Sequence, residues 1–116
     1  MGLRFKGQIP ISTRYVAIPM SMGGRLFIDV QWKDAVSSAT ITLETTGSAV
    51  EDAPIDAAGP AWVWKTESGV TIVGPAGTAA GSTKVHVTTL CCRRARLKIV
   101  AAAASNMEIY SDSELA

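Results

Sequence analysis

Arg25-Leu26-Phe27-Ile28-Asp29-Val30-Gln31-Trp32 is the stretch that decides the fold. Leu26, Ile28, Val30 and Trp32 share one parity and Asp29 and Gln31 the other. That period of two belongs to a β-strand with one buried face, because successive side chains on a strand point to opposite sides. Ala39-Thr40-Ile41-Thr42-Leu43-Glu44-Thr45 repeats the pattern, with Ile41 and Leu43 inward and Thr40, Thr42 and Glu44 outward. It recurs over residues 93–100, where Ala95, Leu97 and Ile99 oppose Arg94, Arg96 and Lys98. Residues 84–90 carry Val85 and Val87 inward and His86 outward, on the parity of Lys84 and Thr88.

Outward from these segments the signal weakens. Residues 3–5 and 9–11 read as a short edge strand, since Pro10 cannot donate to a ladder. Residues 14–18 form another strand, closed by Pro19 and the turn Ser21-Met22-Gly23-Gly24. Residues 61–65 set Trp62 and Trp64 on one face, and Glu67-Ser68-Gly69 reads as the turn of a hairpin into 70–73. Four alanines at 101–104 are too few to nucleate a helix in water. Residues 107–110 are expected to be the last strand and 112–116 a short acidic tail. The Gly-, Ser-, Ala-, Asp- and Pro-rich stretch 46–61 has no period and reads as a long surface loop, the segment expected to be most mobile before assembly; 74–82 is a second loop. The expected fold is all-β: an antiparallel two-sheet sandwich, jelly-roll-like, of about eight strands, with a seven-strand immunoglobulin-like sandwich as its rival.

At 116 residues, 47% of them apolar and 18% charged, the chain suits one compact domain over residues 1–116. Net charge is only +1, but it is segregated: residues 1–38 carry +3, 39–67 carry −4, 68–106 carry +5 and 107–116 carry −3. Patches of both signs suit a protein that docks on copies of itself or on a patterned lattice. The start of the sequence lacks the apolar run of a signal peptide, and no stretch is long enough to span a membrane, so cytoplasmic synthesis is expected.

The sequence supplies little for catalysis. His86 is the only histidine, so neither a nucleophilic triad nor a histidine-rich metal site is expected, and no cofactor is implied. Glu44, Glu51, Asp52, Asp56 and Glu67 lie mostly on or beside the long loop, where solvated carboxylates are ordinary. Gly74-Pro75-Ala76-Gly77 lacks the Lys-Ser/Thr ending of a phosphate loop. Cys91 and Cys92 are adjacent, which strains a disulfide between them; two reduced thiols are expected, one inward and one outward.

The sharpest local signal is the basic row Arg94, Arg96 and Lys98. Three cations on one strand face repel one another unless acids lie opposite, either Glu44 or Glu108 of the same chain or the carboxylates of a partner protein. Nucleic acid is disfavoured because no aromatics interleave with the charges. The candidate contact residues are therefore Arg94, Arg96 and Lys98, the acids Glu51, Asp52 and Asp56 of the long loop, and Trp62 and Trp64 beside it, while Trp32 is expected in the core.

The order of features resembles small β-sandwich proteins of tailed-bacteriophage virions. The segments that carry the likeness are Gly24-Arg25-Leu26-Phe27-Ile28-Asp29-Val30, the Thr-Ile-Thr-Leu-Glu strand at 40–44, the tryptophans at 62 and 64, Gly74-Pro75-Ala76-Gly77 and the closing 93–100 stretch. The resemblance implies a structural virion protein, with jelly-roll modules serving as capsid cement or decoration, head fibres, or tail and baseplate parts. With no tandem domain, fibrous repeat or heptads in the sequence, it implies a capsid cement or decoration protein on the virion surface. The partners it implies are the major capsid protein and copies of the chain itself, as a homotrimer. The alternative is a carbohydrate-binding or receptor-binding module of a tail or baseplate.

Overall fold

The computed structural model describes residues 2–19, 24–33, 38–47, 55–56, 63–74, 81–90, 92 and 94–114, of which 68, 69, 81–90 and 114 are described by their backbone alone. Eight strands follow in chain order: β1 (Gly2–Ile9), β2 (Ser12–Ile18), β3 (Gly24–Trp32), β4 (Ala39–Thr46), β5 (Lys65–Val73), β6 (Gly81–Leu90), β7 (Arg94–Ala101) and β8 (Ser105–Glu114). They form two four-stranded sheets, ordered β1-β8-β3-β6 and β2-β7-β4-β5. All pairings are antiparallel. The pairs β1·β8, β2·β7, β3·β6 and β4·β5 are nested like the rungs of one long hairpin whose apex is the β4–β5 connection. Rolling that ribbon until β3 meets β8 and β4 meets β7 makes a jelly roll, in which every connection except the apex crosses from one sheet to the other.

The roll buries what the alternation placed inward. Leu26, Ile28 and Val30 from the first sheet meet Ile41, Leu43, Leu97 and Ile99 from the second, with Ile9, Ile18, Ile72, Met107 and Ile109 around them, all buried in one cluster. Trp32 is part of that core. The register sets Val85 opposite Ile28 and Val87 opposite Leu26; the side chains of both lie outside the described residues. At the Trp32 end the two sheets come close: a Cβ on Gly74, at the end of β5, would stand 3.3 Å from Trp32 Cη2 of β3. It would also stand 2.9 Å from the Ala39 backbone nitrogen, and the Gly74 N–H donates to the Ala39 carbonyl at 2.7 Å.

Four local expectations are corrected. The short edge strand at 3–5 and 9–11 is one strand, Gly2–Ile9, whose alternation is broken by a register shift between Leu3 and Phe5, with Pro10 just past its end. No hairpin forms around Glu67-Ser68-Gly69: β5 runs through them beside β4, pairing Thr66 with Glu44 and Thr71 with Thr42, so the expected turn is an irregularity inside one strand. Its physical cause is burial, because pairing with β4 seats Val70 and Ile72 in the core. The acidic tail is strand as far as Glu114, whose backbone is in register with Arg25. Finally, the last strand begins at Ser105, and the alanines before it form a turn in which the Ala102 and Ala103 N–H groups donate to the Ser38 carbonyl at 2.8 and 3.3 Å.

Of the long loop expected at 46–61, Thr46 belongs to β4 and is buried, Gly47 is exposed, and Ile55 and Asp56 form a turn. Residues 48–54 and 57–61 lie outside the described residues, as do 75–80 of the second loop.

Candidate contact site on the outer face of the second sheet

The strand register arranges the outward residues of the second sheet in rows. Ala17, Arg96, Glu44 and Thr66 form one row, Tyr15, Lys98, Thr42 and Thr71 the next, and Thr13, Val100, Thr40 and Val73 the third. Glu44 stands directly across from Arg96 because both carry outward parity on neighbouring strands. The Arg96 Nε donates to Glu44 Oε1 at 2.8 Å. This is one of the acidic partners that the basic row required.

The rest of the Arg96 environment was not expected. Its side chain is only 1% exposed although it lies on the outer face of its sheet. The guanidinium stacks 3.9 Å from the centroid of the Tyr15 ring and 4.1 Å from that of Trp64, and Nη1 donates to the Ile55 carbonyl at 3.2 Å. Arg94 approaches the same Trp64 ring at 5.4 Å. A planar, weakly hydrated cation between two aromatic faces is the arrangement for which Arg is better suited than Lys. Val63 and Trp64 are buried here with Ile55 against them, forming a second apolar cluster separate from the sandwich core. The Trp64 indole N–H is buried without an acceptor.

The structure thus divides the contact residues singled out in the sequence. Arg96 and Trp64 are buried by their own chain, Arg94 and Lys98 are half-buried, and Asp56 is exposed. Glu51, Asp52 and Trp62 lie outside the described residues. Ile55 and Tyr15 were missed. The signals available for them were an isoleucine in an otherwise mostly small and acidic loop, and an aromatic on an edge strand.

Beyond this half-covered region the outer face is open. Val73 is 64% and Val100 44% exposed, flanked by exposed Thr13 and Thr40, and Ile11, at the same end of the sheet, is 74% exposed. Among the described residues, three of the four exposed large apolar side chains therefore lie along one end of the second sheet, spread from its β2 edge to its β5 edge; Leu3, on the first sheet, is the fourth.

The described outward side chains of β3 and β8 on the first sheet are mostly polar. Lys33 Nζ meets Glu108 Oε2 at 2.6 Å, and the Tyr110 hydroxyl donates to Glu108 Oε1, also at 2.6 Å. The Lys33 ammonium and then the Tyr110 hydroxyl hold the Glu108 carboxyl below its ordinary value, and the same bond to Glu108 raises the Tyr110 phenol. A lowered carboxyl stabilises the fold above its unfolded pKa and loses that contribution as pH falls through the folded one. The raised phenol contributes below its unfolded pKa and loses its contribution as pH rises through the folded one. Lys33→Ala is expected to move the Glu108 midpoint upward in an NMR titration; an unchanged midpoint would remove Lys33 as the cause.

Among the described residues, no three His, Cys, Asp or Glu side chains gather where they could hold a metal ion. Cys92 is half-buried, in no disulfide, and packed against the main core; Cys91 lies outside the described residues. The β6 register sets His86 opposite Phe27, and the histidine side chain is outside the described residues. Comparison with known proteins yields no matching family model, curated protein or solved structure.

Proposed function

We propose that this chain is a structural virion protein, a cement or decoration module that attaches to an assembled phage capsid through protein–protein contacts and reinforces it. The observation that carries the reading is the open end of the second sheet's outer face, where Val73, Val100 and Ile11 are exposed across its width among threonines, with Lys98 half-buried in the neighbouring row. Affinity on such a face comes from apolar area, and specificity from the charges around it. The jelly-roll architecture is one that serves viral capsids. The major capsid protein is the proposed partner, with further copies of the chain, as a trimer, beside it on the capsid surface. No cofactor, metal, membrane or nucleic acid has a part in this reading.

Fractionating virions by layer tests it. The chain is expected with capsids, at a copy number set by the lattice. Val73→Lys together with Val100→Lys is expected to lower occupancy roughly tenfold or more, as loss of a buried apolar centre does. Lys98→Glu should have a smaller effect that fades with salt, because exposed pairs contribute only about 0–1 kcal/mol each. Recovery only with tail fractions, or binding to glycans with no capsid present, would transfer the chain to the receptor-binding alternative, since jelly rolls also serve as lectin domains.

A further inference from the structure

β1 is an edge strand: it pairs with β8 alone, and Ile9 is its one buried side chain. Its link to β2 is Pro10-Ile11, the shortest connection in the chain, and those two residues cross from the first sheet to the second. We infer that copies of this chain exchange β1, so that Gly2–Ile9 of one copy completes the first sheet of the next by pairing with its β8.

The contacts that hold β1 outside this connection are remade identically on a neighbour. The ladder to β8 runs from Gly2 opposite Ser111 to Ile9 opposite Ser105. Arg4 donates from Nε to the Ser111 hydroxyl at 2.8 Å and from Nη2 to the Ser111 carbonyl at 3.2 Å. The Arg14 guanidinium of β2 lies 4.8 Å from the centroid of the Phe5 ring. Exchange turns each of these from a contact within one copy into the same contact between two, so the balance falls on the connection. There the difference is local. The Ser12 hydroxyl donates to the Pro10 carbonyl at 2.9 Å around a bend at Ile11. Pro10 has a φ that suits an extended chain and biases Ile9 the same way, so straightening Ile11 makes residues 2–18 one extended run that reaches from one copy to the next. Short hinge connections are the ones that invite exchange between copies. Ile11 is the most exposed large apolar residue among the described ones, so straightening costs no buried contact there, and the junction between copies is where it can be covered. Exchange requires no capsid: it concerns how copies join one another, whatever they attach to.

Gln8 and Asn106 face each other across the β1·β8 ladder. The Asn106 carbonyl accepts from the Lys33 N–H on the β3 side, so Gln8 and Asn106 are a non-hydrogen-bonded pair, the closer kind and the one that a disulfide fits. In a chain carrying Gln8→Cys and Asn106→Cys, refolded and then oxidised, exchange is expected to place the 8–106 bond between chains and so to give linked species of two or more chains on a non-reducing denaturing gel. Peptide mapping separates that bond from any made by Cys91 or Cys92. An 8–106 bond found only within single chains would overturn exchange. A second measurement leaves every side chain in place. The unmodified chain is expected to sediment with at least about twice the mass of one chain, and a Gly-Ser-Gly-Ser insertion between Pro10 and Ile11, which gives β1 the slack to fold back, is expected to return most of it to single chains. A single-chain mass before the insertion, or an oligomer that the insertion leaves unchanged, would overturn exchange even if the double variant did not fold. Absence of the chain from capsids with exchange intact would count against the virion reading alone.

Discussion

Arg96→Ala is expected to lower the unfolding free energy by about 2–4 kcal/mol, Glu44→Ala by a similar amount, and the double variant by far less than the two together. The pair is nearly withdrawn from water, with 1% of the Arg96 and 10% of the Glu44 side chain exposed and 2.8 Å between Nε and Oε1. Removing either partner leaves the other charge desolvated without compensation, which typically costs more than the intact pair contributes. The check is urea unfolding of the four proteins of a double-mutant cycle. Additivity within about 0.5 kcal/mol would show that Glu44 and Arg96 are not coupled.

The same geometry changes how attachment can be tested by charge. Reversing Arg96 sets a second carboxylate against Glu44 beneath Trp64, so any weakened assembly would mix lost contact with lost local structure. Lys98 is the cleaner position: it is half-buried in the next row of the same face, with Thr42 as its register partner on β4. The acidic half of the proposed complementarity rests, among the described residues, on exposed Asp56.

Where alternation and burial coincide, the sequence was readable. β3, β4 and β7 each place aliphatics at every second position, and a sheet with one face on a core leaves that pattern no other register. Burial of Arg96 could not be read this way. Parity assigns it to the outer face, correctly, and what covers it arrives from positions 55, 63 and 64, more than thirty residues earlier in the chain. Glu44 was the available clue, a lone acid on a strand face otherwise made of threonine. The misread hairpin at 67–69 has a different cause. Gly69 and its neighbours have turn chemistry, but tertiary pairing with β4 overrides local preference when it buries Val70 and Ile72. At the C-terminal end, acidic composition mimicked a solvated tail because a strand's outer face is free to be polar.

Leu97→Ala is expected to have the largest effect of any single truncation described here, about 2–5 kcal/mol, and Val100→Ala almost none. Both residues sit on β7, three positions apart and so on opposite faces. Leu97 is fully buried and in register with Leu43 on one side and Val16 on the other, so three apolar side chains line up across the middle of the second sheet's inner face. Truncation there removes transfer free energy and leaves a cavity that two flanking strands, fixed by their own ladders, cannot collapse to fill. Domains of this size are stable by about 5–15 kcal/mol, so the loss is a large share of the total and should shift the urea midpoint without changing the slope. Val100 already meets solvent, so its truncation removes little that folding buried. If it nevertheless contacts a capsid, Val100→Ala should weaken attachment in a protein whose stability is unchanged, a separation of effects that no inner-face residue of the same strand can show. A Val100→Ala loss of stability comparable to that of Leu97→Ala would mean that this end of the outer face is covered within the chain, and the surface proposed for attachment would have to be abandoned.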